Sequence, residues 1–123
     1  MTISEPLPMK RSIVDALRQE LRRGTLVLAV LAVLREEMNG SAVREVLASG
    51  DVGIEDGALY PMLRRLEEQG LLTSEWRVDG SRKKRFYLLS ADGIATFSTL
   101  LDEWRRQTAG LNTLTRSNSD DDS

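Results

Sequence analysis

Apolar positions along this chain of 123 residues recur first with a helical period, then alternate, then return to a helical period. Ile13, Leu17 and Leu21 stand four apart, so residues 12–23 read as an amphipathic helix capped by Ser12. Gly24 reads as an interruption and Thr25 as the cap of a second segment. The nine residues 26–34 are all apolar, and periodicity alone does not separate a buried helix from a buried strand there. Leu and Ala interleave with Val, and no turn signal breaks the run before Arg35, Glu36 and Glu37. It reads as a core helix.

Asn39 and Gly40 mark a turn, and Ser41 is placed to cap a short helix carrying Val43, Val46 and Leu47. Gly50 follows, where a left-handed residue would end that helix. A third helix opens at Glu55 or Asp56, with Leu59, Leu63 and Leu66 as its core stripe, and Gly70 stops it. Pro61 lies beyond the free first turn and its ring opposes the carbonyl of Gly57, so a distorted first turn is expected.

The period then changes to two. Leu72, Ser74, Trp76 and Val78 alternate with Leu71, Thr73, Glu75 and Arg77, Asp79-Gly80 turns, and residues 85–89 return. Trp76 reads as core or as packing between the domain and its hairpin. Ser90 caps a final helix in which Ile94, Phe97, Leu101, Trp104, Thr108 and Leu111 are spaced 3, 4, 3, 4, 3. That narrow stripe is expected to meet a partner helix, with Ile94, Phe97, Leu101, Trp104 and Leu111 at a dimer interface. The expected fold class is mainly α with a small β-hairpin. Its parts are a flexible lead-in (1–9), a winged helix-turn-helix domain (10–89), a dimerisation helix (90–114) and a disordered acidic tail (115–123).

Three helices followed by a hairpin is the order in which a third helix enters the major groove and the hairpin flanks it. Ala58, Tyr60, Arg64, Arg65 and Glu68 lie largely off the leucine stripe, so Tyr60 and the arginines are free to donate to phosphates or base edges. Charge sharpens this picture. The whole chain carries net −2, yet residues 76–89 carry net +4 and the last seven carry −3. Ser81, Arg82, Lys83 and Lys84 concentrate cations near the hairpin tip, where phosphate or minor-groove contact would use them.

Composition removes other classes. There is no cysteine and no histidine, hence no thiolate chemistry, no disulfide framework, and neither the commonest general base nor the commonest metal ligand. No glycine-rich phosphate loop is present either, so neither an enzyme nor a cofactor or metal site is expected. The longest apolar run is far below the about 20 residues a spanning helix needs, and no export signal opens the chain. A cytoplasmic protein away from membranes is expected.

RRGTLVLAVLAVL (22–34), EDGALYPMLRRLEEQGLLTSEW (55–76) and GSRKKRFYLLSADG (80–93) together resemble the PadR-type transcriptional regulators, in the short subfamily with a single C-terminal helix. The first resembles that family's first core helix, the second its recognition helix and first strand, and the third its wing and the start of its last helix. The resemblance implies a homodimer on two-fold-symmetric double-stranded DNA, usually acting as a repressor, with Tyr60, Arg64 and Lys84 at DNA-contact positions. It also implies that Trp104 faces an interface cavity for flat hydrophobic effectors. Two departures stand out: Asn39-Gly40-Ser41 replaces the usual His-Gly-Tyr, and Ala58 replaces the usual threonine. The competing expectation is a winged-helix adaptor that binds protein instead of DNA, which the net acidity mildly favours.

Overall fold

The computed structural model describes the backbone of residues 8–121 and the side chains of residues 11–116. Seven elements follow in order: α1 (Pro8–Val33), β1 (Met38–Asn39), α2 (Gly40–Ser49), α3 (Asp56–Glu68), β2 (Leu72–Asp79), β3 (Arg82–Leu89) and α4 (Ala91–Asp121). Of the expected lead-in, residues 1–7 lie outside the described residues, and the backbone is already helical at Pro8.

The first correction concerns α1. The two expected segments are one helix of 26 residues, in which Ser12 and Thr25 are interior positions rather than caps. The Thr25 hydroxyl donates back to the Leu21 carbonyl at 3.3 Å. A single glycine costs a helix only about 1 kcal/mol relative to alanine, too little to break one anchored by a core segment. Val30, Leu31 and Leu34 supply that anchor and are fully buried.

The cap of α2 is Asn39, not Ser41: its side-chain oxygen accepts from the Ala42 amide at 2.9 Å. Gly50 has φ −92°, and the left-handed residue is its neighbour Asp51 at φ 60°. Pro61 is carried inside a continuous α3. The Glu55 carbonyl accepts from both Ala58 and Leu59 at 2.9 Å, a shared bond common at helix termini. Gly70, at φ 82°, ends the helix as expected, and Leu71 N–H closes back on the Leu66 carbonyl at 2.9 Å.

β2 and β3 pair antiparallel from Leu72↔Leu89 to Asp79↔Arg82, leaving a two-residue loop of Gly80 (φ 68°) and Ser81. The short β1 adds to the other edge of β3 through Met38↔Tyr87 and Asn39↔Phe86, so β3 is central. One core unites the helices and this sheet: Val43 and Leu47, then Leu59, Leu63 and Leu66, then Leu72, Tyr87 and Leu89. Ser90 caps α4 by accepting from the Gly93 amide at 3.0 Å, as its sequence position predicted.

α4 runs to Asp121, past the boundary at 114 and through most of the segment expected to be a disordered tail; residues 122 and 123 lie outside the described residues. Its seam also divides. Phe97 is only 9% exposed and belongs to the core of its own chain, with Leu101 packed beside it, so Phe97 leaves the expected dimer interface. The reason is the length of α1. Its residues Leu28, Ala29 and Ala32 lie alongside Phe97 and Leu101 and take the place assigned to a partner helix. Ile94, Trp104 and Leu111 remain exposed.

Candidate nucleic-acid interface

The leucine stripe that buries one side of α3 determines what the helix shows elsewhere. Tyr60, Arg64 and Glu67 follow at i, i+4 and i+7 along the flank that meets the hairpin. Ala58 and Arg65 are exposed on the outer side. Two acid–base contacts hold α3 in place. At its first turn, Arg44 of α2 donates to both Asp56 carboxylate oxygens at 2.7 Å. That hydrogen bond, with the attraction of the same carboxylate, raises the Arg44 guanidinium above the ordinary arginine value. At its last turn, Glu67 accepts from Arg85 of β3 at 2.7 Å.

Between α3 and the hairpin lies an open cleft of about 420 Å³, with Tyr60 and Arg64 on one wall and Trp76, Arg82, Lys83 and Lys84 among those on the other. Its floor is set by a close approach: the Tyr60 ring lies against Gly40 at the start of α2. The structure therefore brings together Tyr60, Arg64, Arg82, Lys83 and Lys84 from the expected DNA-contact set. Ser81 sits at the exposed hairpin tip, and Ala58 and Arg65 stand outside the cleft.

The wing's charges are unequal, which its sequence does not reveal. Arg77 is held by Glu37, 2.5 Å from its Nη1, and by Glu75, and its guanidinium lies 5.1 Å from the Phe86 ring centre. Hydrogen bonds to those two carboxylates raise it above the ordinary arginine value. Lys84 pairs with Asp79 at 3.1 Å and Arg85 with Glu67. Among the described residues, no carboxylate lies within ion-pair distance of Arg82, Lys83, Arg64 or Arg65. These four carry the uncompensated positive charge of the face.

Trp76 is a further correction. It is 61% exposed and lines the cleft, with the Arg85 guanidinium 5.7 Å from its ring, rather than packing between domain and hairpin. Strand alternation puts it on the same face as buried Leu72, but at its position that face opens onto the cleft.

The far side of the molecule carries a second feature. Leu21 of α1 and Leu100, Trp104 and Leu111 of α4 border a groove of about 580 Å³, and Trp104 separates it from a smaller hollow of about 200 Å³ over Leu28, Phe97 and Leu101. The stripe Ile13, Leu17 and Leu21 of α1 continues this apolar surface. All three are exposed, Leu21 at 76%. Among the described residues there is no cluster of three or more metal-ligating side chains, and no helix is long and apolar enough to cross a membrane.

A helix-turn-helix, a hairpin wing and a long terminal helix together make a winged helix-turn-helix protein. Residues 27–99 match the Transcriptional regulator PadR-like family, and the chain belongs to that family, one of transcriptional regulators and not of enzymes. It is 32% identical over 96 residues to the transcriptional regulator Rv3488 of Mycobacterium tuberculosis, a match spanning 75% of this chain and 90% of that protein. The crystal structure of a PadR family transcriptional regulator from Eggerthella lenta aligns at TM-score 0.79 and 39% identity, covering 88% of this chain and 96% of that one. Bacillus subtilis PadR, solved in complex with operator DNA, shares the fold at TM-score 0.59 and 24% identity, over 63% of this chain and 45% of its own.

Proposed function

We propose that this chain is a cytoplasmic homodimeric repressor that occupies a two-fold-symmetric operator. Ala58, Tyr60, Arg64 and Arg65 of α3 enter the major groove, while Ser81, Arg82, Lys83 and Lys84 of the wing track the backbone or minor groove. The observation that carries the reading is the cleft in which Tyr60 and Arg64 face the wing cations, with Arg64, Arg82 and Lys83 left uncompensated along it. Such a face suits a polyanion with a groove. The operator complex of Bacillus subtilis PadR supports the same reading for a related fold.

Two copies are joined through the exposed apolar side chains of α4 (Ile94, Trp104 and Leu111), with those of α1 beside them. A two-fold pair of recognition helices then matches a palindromic site. Leu101 stays at the margin of this interface. Trp104, between two apolar hollows, is placed to stack on a small flat hydrophobic effector whose binding would shift the dimer geometry and release DNA.

The test is binding of DNA from upstream of the protein's own gene, titrated at several salt concentrations. Log affinity should fall linearly with log salt, by about 0.9 for each phosphate contacted. Replacing Arg82, Lys83 and Lys84 with alanine should flatten that slope, and an unchanged slope would remove the wing from the interface. If the wild type bound neither that DNA nor any member of a randomised library, a protein-binding adaptor would replace the repressor. For the effector, flat aromatic compounds should quench Trp104 fluorescence. A Trp104→Ala dimer with full ligand response would count against that role.

A further inference from the structure

At the base of the wing, three side chains from three elements close a ring of hydrogen bonds. Arg85 of β3 donates through Nη2 to Glu67 Oε1 at 2.7 Å and through Nε to Ser74 Oγ at 2.8 Å. Ser74 of β2 in turn donates to Glu67 Oε2 at 2.6 Å. The ring is partly shielded, with the Arg85 and Glu67 side chains 33% and 26% exposed. The guanidinium also lies 5.7 Å from the Trp76 ring centre and 5.6 Å from that of Tyr87. A planar fork bonding two acceptors holds a fixed orientation that a flexible ammonium does not.

Glu67 stands on the same flank of α3 as Tyr60 and Arg64. Anchoring Glu67 to both strands therefore sets the angle at which those two side chains meet the wing across the cleft. Base readout demands that helix and wing fit one duplex at once, whereas contacts to phosphate carry no sequence information of their own. Arg85 ends the basic run that begins at Arg82, yet its charge is compensated and two of its donor groups are in use.

The geometry points to Arg85 as a positioning residue for sequence discrimination, acting through Glu67 and Ser74 and making no phosphate contact of its own. This rests on the reading of the cleft as the DNA-binding face. It separates Arg85 from Arg82 and Lys83, which its place in the sequence groups with it.

The experiment uses the full chain and two duplexes, one selected from a randomised library by the wild-type protein and one scrambled. Affinity for both is measured over a salt series, with melting temperature alongside, for Arg85→Ala, Arg85→Lys, Glu67→Gln and the double variant Arg85→Ala/Glu67→Gln. Arg85→Ala and Glu67→Gln should each weaken binding to the selected duplex at least tenfold. Affinity for the scrambled duplex should stay within twofold and the salt slope unchanged. The double variant should be no worse than Arg85→Ala, and Arg85→Lys should leave most of the loss in place.

A slope reduced by about 0.9 in Arg85→Ala, or full rescue by Arg85→Lys, would make Arg85 a phosphate contact and overturn the proposal. An equal loss on both duplexes with lowered melting would overturn it too, since only stability would then be involved. If the wild type selected no duplex, the DNA-binding reading would fall and take the proposal with it. Selection by the wild type with unaltered preference in Arg85→Ala would defeat the proposal alone.

Discussion

The Tyr60 ring lies so close to Gly40 that a Cβ at position 40 would come 2.4 Å from Tyr60 Cε1. The helix-turn-helix is therefore closed by an aromatic ring seated on bare backbone, and the Tyr60 hydroxyl is held at the edge of the cleft. No rotation of a methyl group relieves such a contact, so the ring must move. The open cleft gives it room. Gly40→Ala should then cost about 1–3 kcal/mol of stability and also weaken DNA binding, because Tyr60 leaves its place. In a Tyr60→Ala background the same substitution should cost neither stability nor affinity further. Chemical denaturation and duplex titration of the four proteins check both statements.

Gly93 meets a harder constraint, since a Cβ there would lie 2.0 Å from the Leu71 carbonyl oxygen. That oxygen also accepts from Ser90 N–H at 2.9 Å, so the start of α4 is pressed onto the turn between α3 and β2. Gly93→Ala should lower the melting temperature by about 10 °C or more, taking an overpacking cost of at least 2 kcal/mol at about 4–8 °C per kcal/mol. Gly110, also within α4, has nothing within 4 Å of the corresponding point. There the same change should stabilise, by up to about 1 kcal/mol of helix propensity. Thermal melts of the two variants should therefore move in opposite directions.

These contacts show which parts of the molecule were legible before the structure. The stripe Leu59, Leu63 and Leu66, the Ser90 cap and the hairpin loop at Gly80 are local signals, and all three sit where their spacing put them. Gly24 misled because its propensity cost is small beside the anchoring of the helix around it. β1 has only two residues, too few to show a period. The seam on α4 was correctly apolar, but a period says that a face is covered without saying by what. α1 covers Phe97 and Leu101, leaving Ile94, Trp104 and Leu111 exposed. The compensation of Arg77 by Glu37 and of Arg85 by Glu67 joins residues 40 and 18 positions apart, which no local motif encodes.

The exposed stripes of α1 and α4 give a direct test of pairing. Glutamate at Leu21 or Leu111 should be harmless in a monomer, since both leucines already face solvent. In a two-fold dimer each substitution occurs twice and forfeits about 1.5–3 kcal/mol of burial per copy. Dissociation should then be at least 100-fold easier, at about 1.4 kcal/mol per factor of ten. Sedimentation over a concentration series checks this, and an unshifted equilibrium in both variants would move the interface elsewhere.

Tyr87 offers a pH-dependent test of the core. Its phenol is buried where β3 meets α3, and that desolvation raises it above the ordinary tyrosine value, against the nearby Arg85 charge that lowers it. The folded state thus disfavours the phenolate relative to the unfolded chain, where the group titrates near pH 10. Stability from the neutral ring is complete below that pH, and is lost as pH rises from there through the higher folded value. Tyr87→Phe removes the titration without removing the ring. The difference in unfolding free energy between the two proteins should be constant from pH 7 to 9. It should then shift steadily in favour of the variant above about pH 10. All other ionisable groups are common to both proteins and cancel in the difference. A difference that stayed flat to pH 11 would place the Tyr87 hydroxyl in water.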